Sequence, residues 1–161
     1  MPLRNDGTRL KAGDQPLDSL VPRGGRATIV GTARSDFERQ DFIDQMRTAV
    51  DEHSRIQTTD ESWSTFSRDL HYVSGDASDP SFFAQLKKQL EEIDGQCGTN
   101  GNRVWYCATS PGLFEEIAEG IGKSGLLDTG GWHRLVVEKP FGRDLASAQA
   151  LNDTVRGVFA D

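Results

Sequence analysis

Short apolar segments alternate with amphipathic ones four times along this chain, and that alternation limits the available folds more than any other feature. The segments ATIVGT (residues 27–32), HYVSG (71–75), RVWYCAT (103–109) and HRLVVE (133–138) read as strands, rich in β-branched and aromatic residues and bounded by turn formers. Two of them are near-continuous apolar runs, the pattern of strands buried on both faces. Strands separated by helical stretches run parallel, because returning the chain to the same end of a sheet takes a crossover of about a dozen residues or more. The prediction is an α/β fold: a parallel sheet with helices on both faces, holding strands 27–32, 103–109 and 133–138 together.

The intervening stretches carry helix signals. Ser35 and Glu38 have capping-box spacing ahead of Phe42, Met46, Ala49 and Val50 on one face. In residues 59–70, Trp63, Phe66 and Leu70 recur at helical intervals. Asp79 is a natural N-cap and Pro80 a first helical residue for a helix whose Phe83, Leu86, Leu90 and Ile93 share a face. Ser110-Pro111 opens a helix bearing Leu113, Phe114, Ile117 and Ile121 that stops near Gly125, and Asp144 caps a last one carrying Leu145, Ala148, Leu151, Val155 and Phe159. Residues 1–26, rich in Gly, Pro, Asp and Arg, are expected to be a poorly structured lead-in to a domain over residues 27–161.

A net charge of −7, from 25 acidic against 18 basic residues, argues against a nucleic-acid-binding surface. No apolar run approaches the ~18 residues of a membrane span, and the first twenty residues lack the apolar core of a secretory signal. Cys97 and Cys107 form neither a CxxC nor a Cys/His cluster, so no metal site is predicted and a reducing cytoplasm is the expected location.

Open parallel sheets bind ligands beyond the carboxyl ends of their strands, and two strand ends here are chemically unusual. Arg34 closely follows ATIVGT. In dinucleotide-binding folds an acid at that kind of position holds the ribose of NAD, whereas an arginine accommodates the 2′-phosphate of NADP. The bland alternative is a surface arginine paired with Asp36 or Glu38. Lys139 ends HRLVVE and precedes Pro140, which restricts it to extended backbone and turns the chain so that the ammonium can reach a crevice. Its bland alternative is a salt bridge to Glu138 or Asp144. The three histidines, His53, His71 and His133, have no nearby Ser or Cys arranged for nucleophilic work, the first two reading as exposed. GxGxxG, Walker and HExxH motifs are absent from the sequence.

Four blocks together resemble the coenzyme-binding domain of the glucose-6-phosphate dehydrogenase family: IVGTARSDF (29–37), YVSGDASDPSFFAQL (72–86), NRVWYCATSPGLFEEI (102–117) and, most specific, WHRLVVEKPFGRDLASAQALN (132–152). The resemblance implies a Rossmann-like domain using NADP to oxidise C1 of glucose 6-phosphate to the lactone, in a family of homo-oligomers of the pentose phosphate pathway. It implies that Arg34 meets the adenosine 2′-phosphate, Asp76 and Ala77 line the adenosine side, Phe114 lies near the coenzyme, and Lys139 touches coenzyme and substrate alike. Three departures stand out. No glycine-rich turn of the family's Gly-Ala-Ser-Gly-Asp-Leu kind precedes IVGTAR, so the sheet is expected to lack its first strand. The family's Arg-Ile-Asp-His-Tyr-Leu-Gly-Lys segment, source of its catalytic base, has no counterpart, and no catalytic residue is assigned. Ser110 stands where the family commonly has a second proline. Two alternatives stay open: another sugar oxidoreductase that ends a strand on Glu-Lys-Pro, and a non-catalytic binding or assembly module that keeps the fold's surface without turnover.

Overall fold

A computed structural model of the chain describes residues 27–55, 57–139 and 141–159; the expected lead-in over residues 1–26 and the turn at Pro140 lie outside these. The element order is β1 (Ile29–Ala33), α1 (Arg39–His53), α2 (Asp60–Ser67), β2 (Leu70–Ser74), α3 (Pro80–Cys97), β3 (Arg103–Cys107), a 3₁₀ turn (Pro111–Leu113), α4 (Phe114–Lys123), β4 (His133–Val137) and α5 (Leu145–Val158). The strand–helix alternation is as predicted, and every strand pairing is parallel: β1 with β2 from Ile29↔Leu70 to Ala33↔Ser74, and β3 with β4 from Arg103↔His133 to Cys107↔Val137.

The single continuous sheet expected from the sequence is corrected. Among the described residues the strands form two separate pairs, β1–β2 and β3–β4. Doubly wound sheets of the dinucleotide-binding type are ordered 3-2-1-4-5-6. With the four strands here as members 2 to 5 of that order, member 1, which is not among the described residues, is the one that would join the pairs. A shared core holds them instead. Phe82, Phe83 and Leu86 of α3 pack with Val73 of β2, Ile121 of α4 and Leu126, and the same cluster takes in Val30 of β1 and Trp105 of β3.

Side-chain parity places the helices. On β1–β2, Val30 and Val73 face α3, while Leu70 joins Ile43 of α1 and Trp63 of α2 on the opposite face. There Phe42 stacks on Tyr72 at 4.9 Å between ring centroids and lies over Gly31, where an added Cβ would sit 2.7 Å from the Phe42 ring. Glycine is what lets α1 approach that closely. On β3–β4, Cys107, Leu135 and Val137 face Phe114 of α4 and Leu151 and Val155 of α5. Val104, Tyr106 and Val136, on the other face, belong to none of the three core clusters.

Local signals held unevenly. Asp79 caps α3 by accepting from Ser81 N–H at 2.8 Å, with Pro80 as first helical residue, and Asp144 caps α5 in a capping box with Ser147. The capping box expected at Ser35 and Glu38 does not form: Glu38 is the N-cap of α1 without a side-chain cap bond, and Ser35 gives its carbonyl to the Tyr72 hydroxyl. Leu70 opens β2 instead of closing a helix, because its 3% exposure depends on strand pairing under α1. Leu145, expected on the core face of α5, is 75% exposed at the helix's first position, before α4 comes into reach.

Candidate functional site

Three strand ends carry the site residues. β1 closes at Ala33, so Arg34 begins the loop beyond it; β2 closes at Ser74, and Gly75 N–H donates to Ala33 O at 2.9 Å, extending the pairing one step. That bond sets Asp76 beside Arg34. Gly75 is required here: a Cβ on it would lie 2.1 Å from Cδ2 of Phe82. Asp76 Oδ1 accepts from Ser78 N–H at 3.0 Å and Ser78 O–H at 2.9 Å, while the Asp76 carbonyl accepts from Asp79 N–H at 2.9 Å. These contacts, the Ser78 N–H foremost and then its hydroxyl, hold the Asp76 carboxyl below the usual carboxylate range, with a smaller contribution from the Arg34 charge. Asp76 is thus a fixed anion with Oδ2 taking no hydrogen bond among the described residues. Ala77 is half-buried and packs on the central core, anchoring the turn that carries Asp76.

Arg34 is exposed. It forms no ion pair with Asp36 or Glu38 among the described residues. Asp36 instead accepts from the Ser74 hydroxyl at 3.1 Å. Among the described residues the guanidinium donors are left for an anion such as a carboxylate or a phosphate.

Lys139 follows β4 and is exposed, without a salt bridge to Glu138 or Asp144 among the described residues. Glu138 is engaged elsewhere, accepting from the Tyr106 hydroxyl of β3 at 2.7 Å. This cross-strand bond and the Glu138 charge raise the Tyr106 phenol above its ordinary value. The link fixes the backbone directly before Lys139. Further on, Gly142 adopts φ +84°, and a Cβ there would lie 2.6 Å from Ala148 N, so the backbone at Gly142 is pressed against the first turn of α5. Lys139 thus follows a fixed Glu138, with its ammonium uncommitted among the described residues.

Phe114 differs from the other predicted residues in its burial. At 2% exposure it lies inside the α4–α5 core against Cys107 and Leu151. The amphipathic face of α4 turns Phe114 inward, where it packs beneath the carboxyl end of β3. Sequence reasoning missed the Tyr106–Glu138 bond; the outward parity of Tyr106 between Trp105 and Cys107 was the available signal.

The histidines lie elsewhere. His53 ends α1, exposed. His71, expected to be exposed, is half-buried within β2, and burial followed by the Arg39 charge lowers its pKa. His133 opens β4, where Nε2 lies 2.9 Å from Thr129 Oγ1 and Nδ1 lies 3.4 Å from Trp105 Nε1. Four strand steps of about 3.3 Å separate it from the Lys139 end, roughly 13 Å. Among the described residues no group of three or more His, Cys, Asp or Glu could hold a metal ion, and no helix is long and apolar enough to cross a membrane. Two open clefts, one between α1 and α2 around Arg39, Arg47 and Trp63 and one beside Ile29 and Phe66, involve none of the predicted site residues.

Comparison with known proteins accounts for this arrangement. The chain is 41% identical over 136 residues to glucose-6-phosphate 1-dehydrogenase 2 of Mycobacterium tuberculosis, an alignment covering 83% of this chain and 26% of that protein. It is 31% identical over 138 residues to glucose-6-phosphate 1-dehydrogenase of Bacillus subtilis, covering 86% and 27%. The chain thus spans about a quarter of the length of these relatives. The crystal structure of glucose-6-phosphate 1-dehydrogenase from Mycobacterium avium matches with a TM-score of 0.69 at 32% identity, over 83% of this chain and 27% of that one. A glucose-6-phosphate dehydrogenase in complex with its substrate glucose-6-phosphate matches with the same TM-score at 26% identity. The family described as the NAD binding domain of glucose-6-phosphate dehydrogenase matches residues 19–161, nearly the whole sequence, and to that family this chain belongs.

Proposed function

We propose that this chain forms the coenzyme-binding part of an NADP-dependent glucose-6-phosphate dehydrogenase, with Arg34, Asp76 and Lys139 as its contact residues. The observation that carries the reading is a pair of uncommitted cations at strand ends, Arg34 after β1 and Lys139 after β4. Arg34 takes the 2′-phosphate through paired, charge-assisted N–H donors, a geometry that a lysine could not supply. Asp76, fixed by Ser78, offers Oδ2 to a donor on the adenosine, and Ala77 keeps that turn seated on the core. Lys139 holds the phosphosugar against the nicotinamide. When bound, the coenzyme supplies the hydride acceptor for C1 of the sugar. The residues described here bind and orient; acceptance of the hydroxyl proton falls to a group outside them, since His133 lies at the opposite end of β4.

The test is a chimera in which residues 27–161 replace the matching segment of the Mycobacterium tuberculosis relative. It should reduce NADP with glucose 6-phosphate. Arg34→Ala should raise the KM for NADP by at least tenfold while leaving NAD unchanged, and Lys139→Ala should remove turnover. Equal losses for both coenzymes in Arg34→Ala would make the arginine structural and overturn the assignment of NADP.

A further inference from the structure

We propose that Tyr72 and Ser74 govern the coenzyme preference of this site without touching the coenzyme, as positioning residues that hold the loop carrying Arg34. This role rests on the proposed pairing of Arg34 with a 2′-phosphate, and it supplies what keeps the guanidinium in place. The loop of residues 34–38 joins β1 to α1. Among the described residues, none of residues 34–37 makes a backbone–backbone hydrogen bond. A loop of this kind, carrying an exposed arginine, samples many conformations unless side chains from elsewhere tie it down.

Two such ties exist, and both come from one face of β2. Tyr72 O–H donates to the Ser35 carbonyl at 2.5 Å, and Ser74 O–H donates to Asp36 Oδ1 at 3.1 Å. Residues two apart in a strand project from the same side, so the two hydroxyls meet the loop together. They grip the two residues directly after Arg34. A phenol has one proton to give; Ala33 O, at 3.3 Å, is the more distant acceptor, so Ser35 O takes it. Burial, then the Asp36 charge, raises the Tyr72 phenol above its ordinary value, which keeps it a donor near neutral pH.

The Tyr72 ring is itself wedged. Its strand partner is Gly31, and Phe42 of α1 lies over both, stacked on the Tyr72 ring at 4.9 Å. Phe37, from the loop, closes on the same ring at 5.7 Å between centroids. The ring therefore serves packing, which a phenylalanine would serve equally, and only the hydroxyl serves the loop. Ser74 acts on charge as well as on shape. By engaging Asp36 it keeps that carboxylate off Arg34, with which Asp36 forms no ion pair among the described residues. Loss of the Tyr72 tie loosens the guanidinium, and loss of the Ser74 tie frees Asp36 to neutralise it.

The experiment titrates the full 161-residue chain with adenosine 2′-monophosphate, and with adenosine 5′-monophosphate as the control, followed by backbone amide shifts in NMR spectra. Tyr72→Phe and Ser74→Ala should each weaken binding of the 2′-phosphate by about two- to tenfold, the worth of one neutral hydrogen bond, and leave the 5′-phosphate unchanged. Both should raise the fast mobility of the Arg34 amide without speeding hydrogen exchange at Val73 in β2. In an Arg34→Ala background neither should weaken binding further. If Arg34→Ala weakens the 2′-phosphate and the two hydroxyl variants do not, the positioning role is overturned while the pairing of Arg34 stands. Equal weakening of both nucleotides, or faster exchange at Val73, would make the hydroxyls structural and overturn the role as well. A parent chain that treats the two nucleotides alike, or an Arg34→Ala variant that changes nothing, would overturn the pairing of Arg34 itself and with it the preference assigned to Tyr72 and Ser74.

Discussion

Replacing Asp94 by asparagine should destabilise the chain more than any exposed substitution, through a single guanidinium. Arg103 opens β3 with its side chain 8% exposed, and it ties three elements together. Nη2 donates to Asp94 Oδ2 of α3 at 2.7 Å, Nη1 donates to Leu126 O at 2.7 Å, and the guanidinium carbon lies 5.9 Å from the Trp105 ring. Asp94 Oδ1 simultaneously accepts from the Thr99 hydroxyl. Asparagine, with its oxygen towards Arg103 and its N–H₂ towards the Thr99 hydroxyl, keeps neutral hydrogen bonds but leaves the buried guanidinium without a counter-charge. Removing one partner of a buried pair costs about 3–5 kcal/mol, and because Asp94 keeps 22% exposure the lower end applies, about 3 kcal/mol. With a urea slope of about 2 kcal/mol/M, the unfolding midpoint should fall by about 1.5 M. Arg103→Met combined with Asp94→Leu should be milder than Asp94→Asn, since no charge is stranded. A midpoint shift below about 0.5 M for Asp94→Asn, or a double variant worse than the single, would refute the reasoning.

Other outcomes follow from the same contacts. Burial, then the charges of Arg39 and Arg103, holds His71 and His133 below the ordinary histidine value of 6.5. The unfolded chain then takes up protons that the fold resists, so their contribution to stability is whole above about pH 6.5 and lost as pH falls below it. Urea midpoints at pH 7.5 and 5.5 should show that loss, and His71→Gln with His133→Asn should shrink it; an unchanged slope would count against it. Gly142→Ala should cost more than about 1 kcal/mol, because an L-residue is strained at φ +84° and its Cβ meets the Ala148 backbone; in the chimera it should also raise the KM for NADP by displacing Lys139. Glu138→Gln should bring the Tyr106 phenol back towards its ordinary value, read by ultraviolet titration of the tyrosines, and no change would mean that the cross-strand bond does not persist in solution.

The chain's periodicity carried the fold class, because strand and helix patterns are written in local spacing. Short apolar runs in residues 29–33 and 103–107, and apolar residues at helical spacing in residues 80–97, need cover that layered packing provides. Caps at Asp79 and Asp144 were legible for the same reason, since each side chain bonds a backbone N–H two or three residues away. Arg34 and Lys139 could be singled out because each lies at a strand end, a position set by local sequence, whereas Asp76 came only with the family resemblance. What the tertiary structure decided depends on partners distant in the chain. Phe114 is inside because α5 closes over α4, and Leu70 is a strand residue because β1 pairs with it. Tyr106 reaches Glu138 across 32 positions, and Arg103 reaches Leu126 across 23. Among the described residues the strands form two pairs, and strand pairing is a contact between segments remote in sequence. Four strands can each be predicted from their own residues, but which of them pair among the described residues is decided by contacts between distant segments.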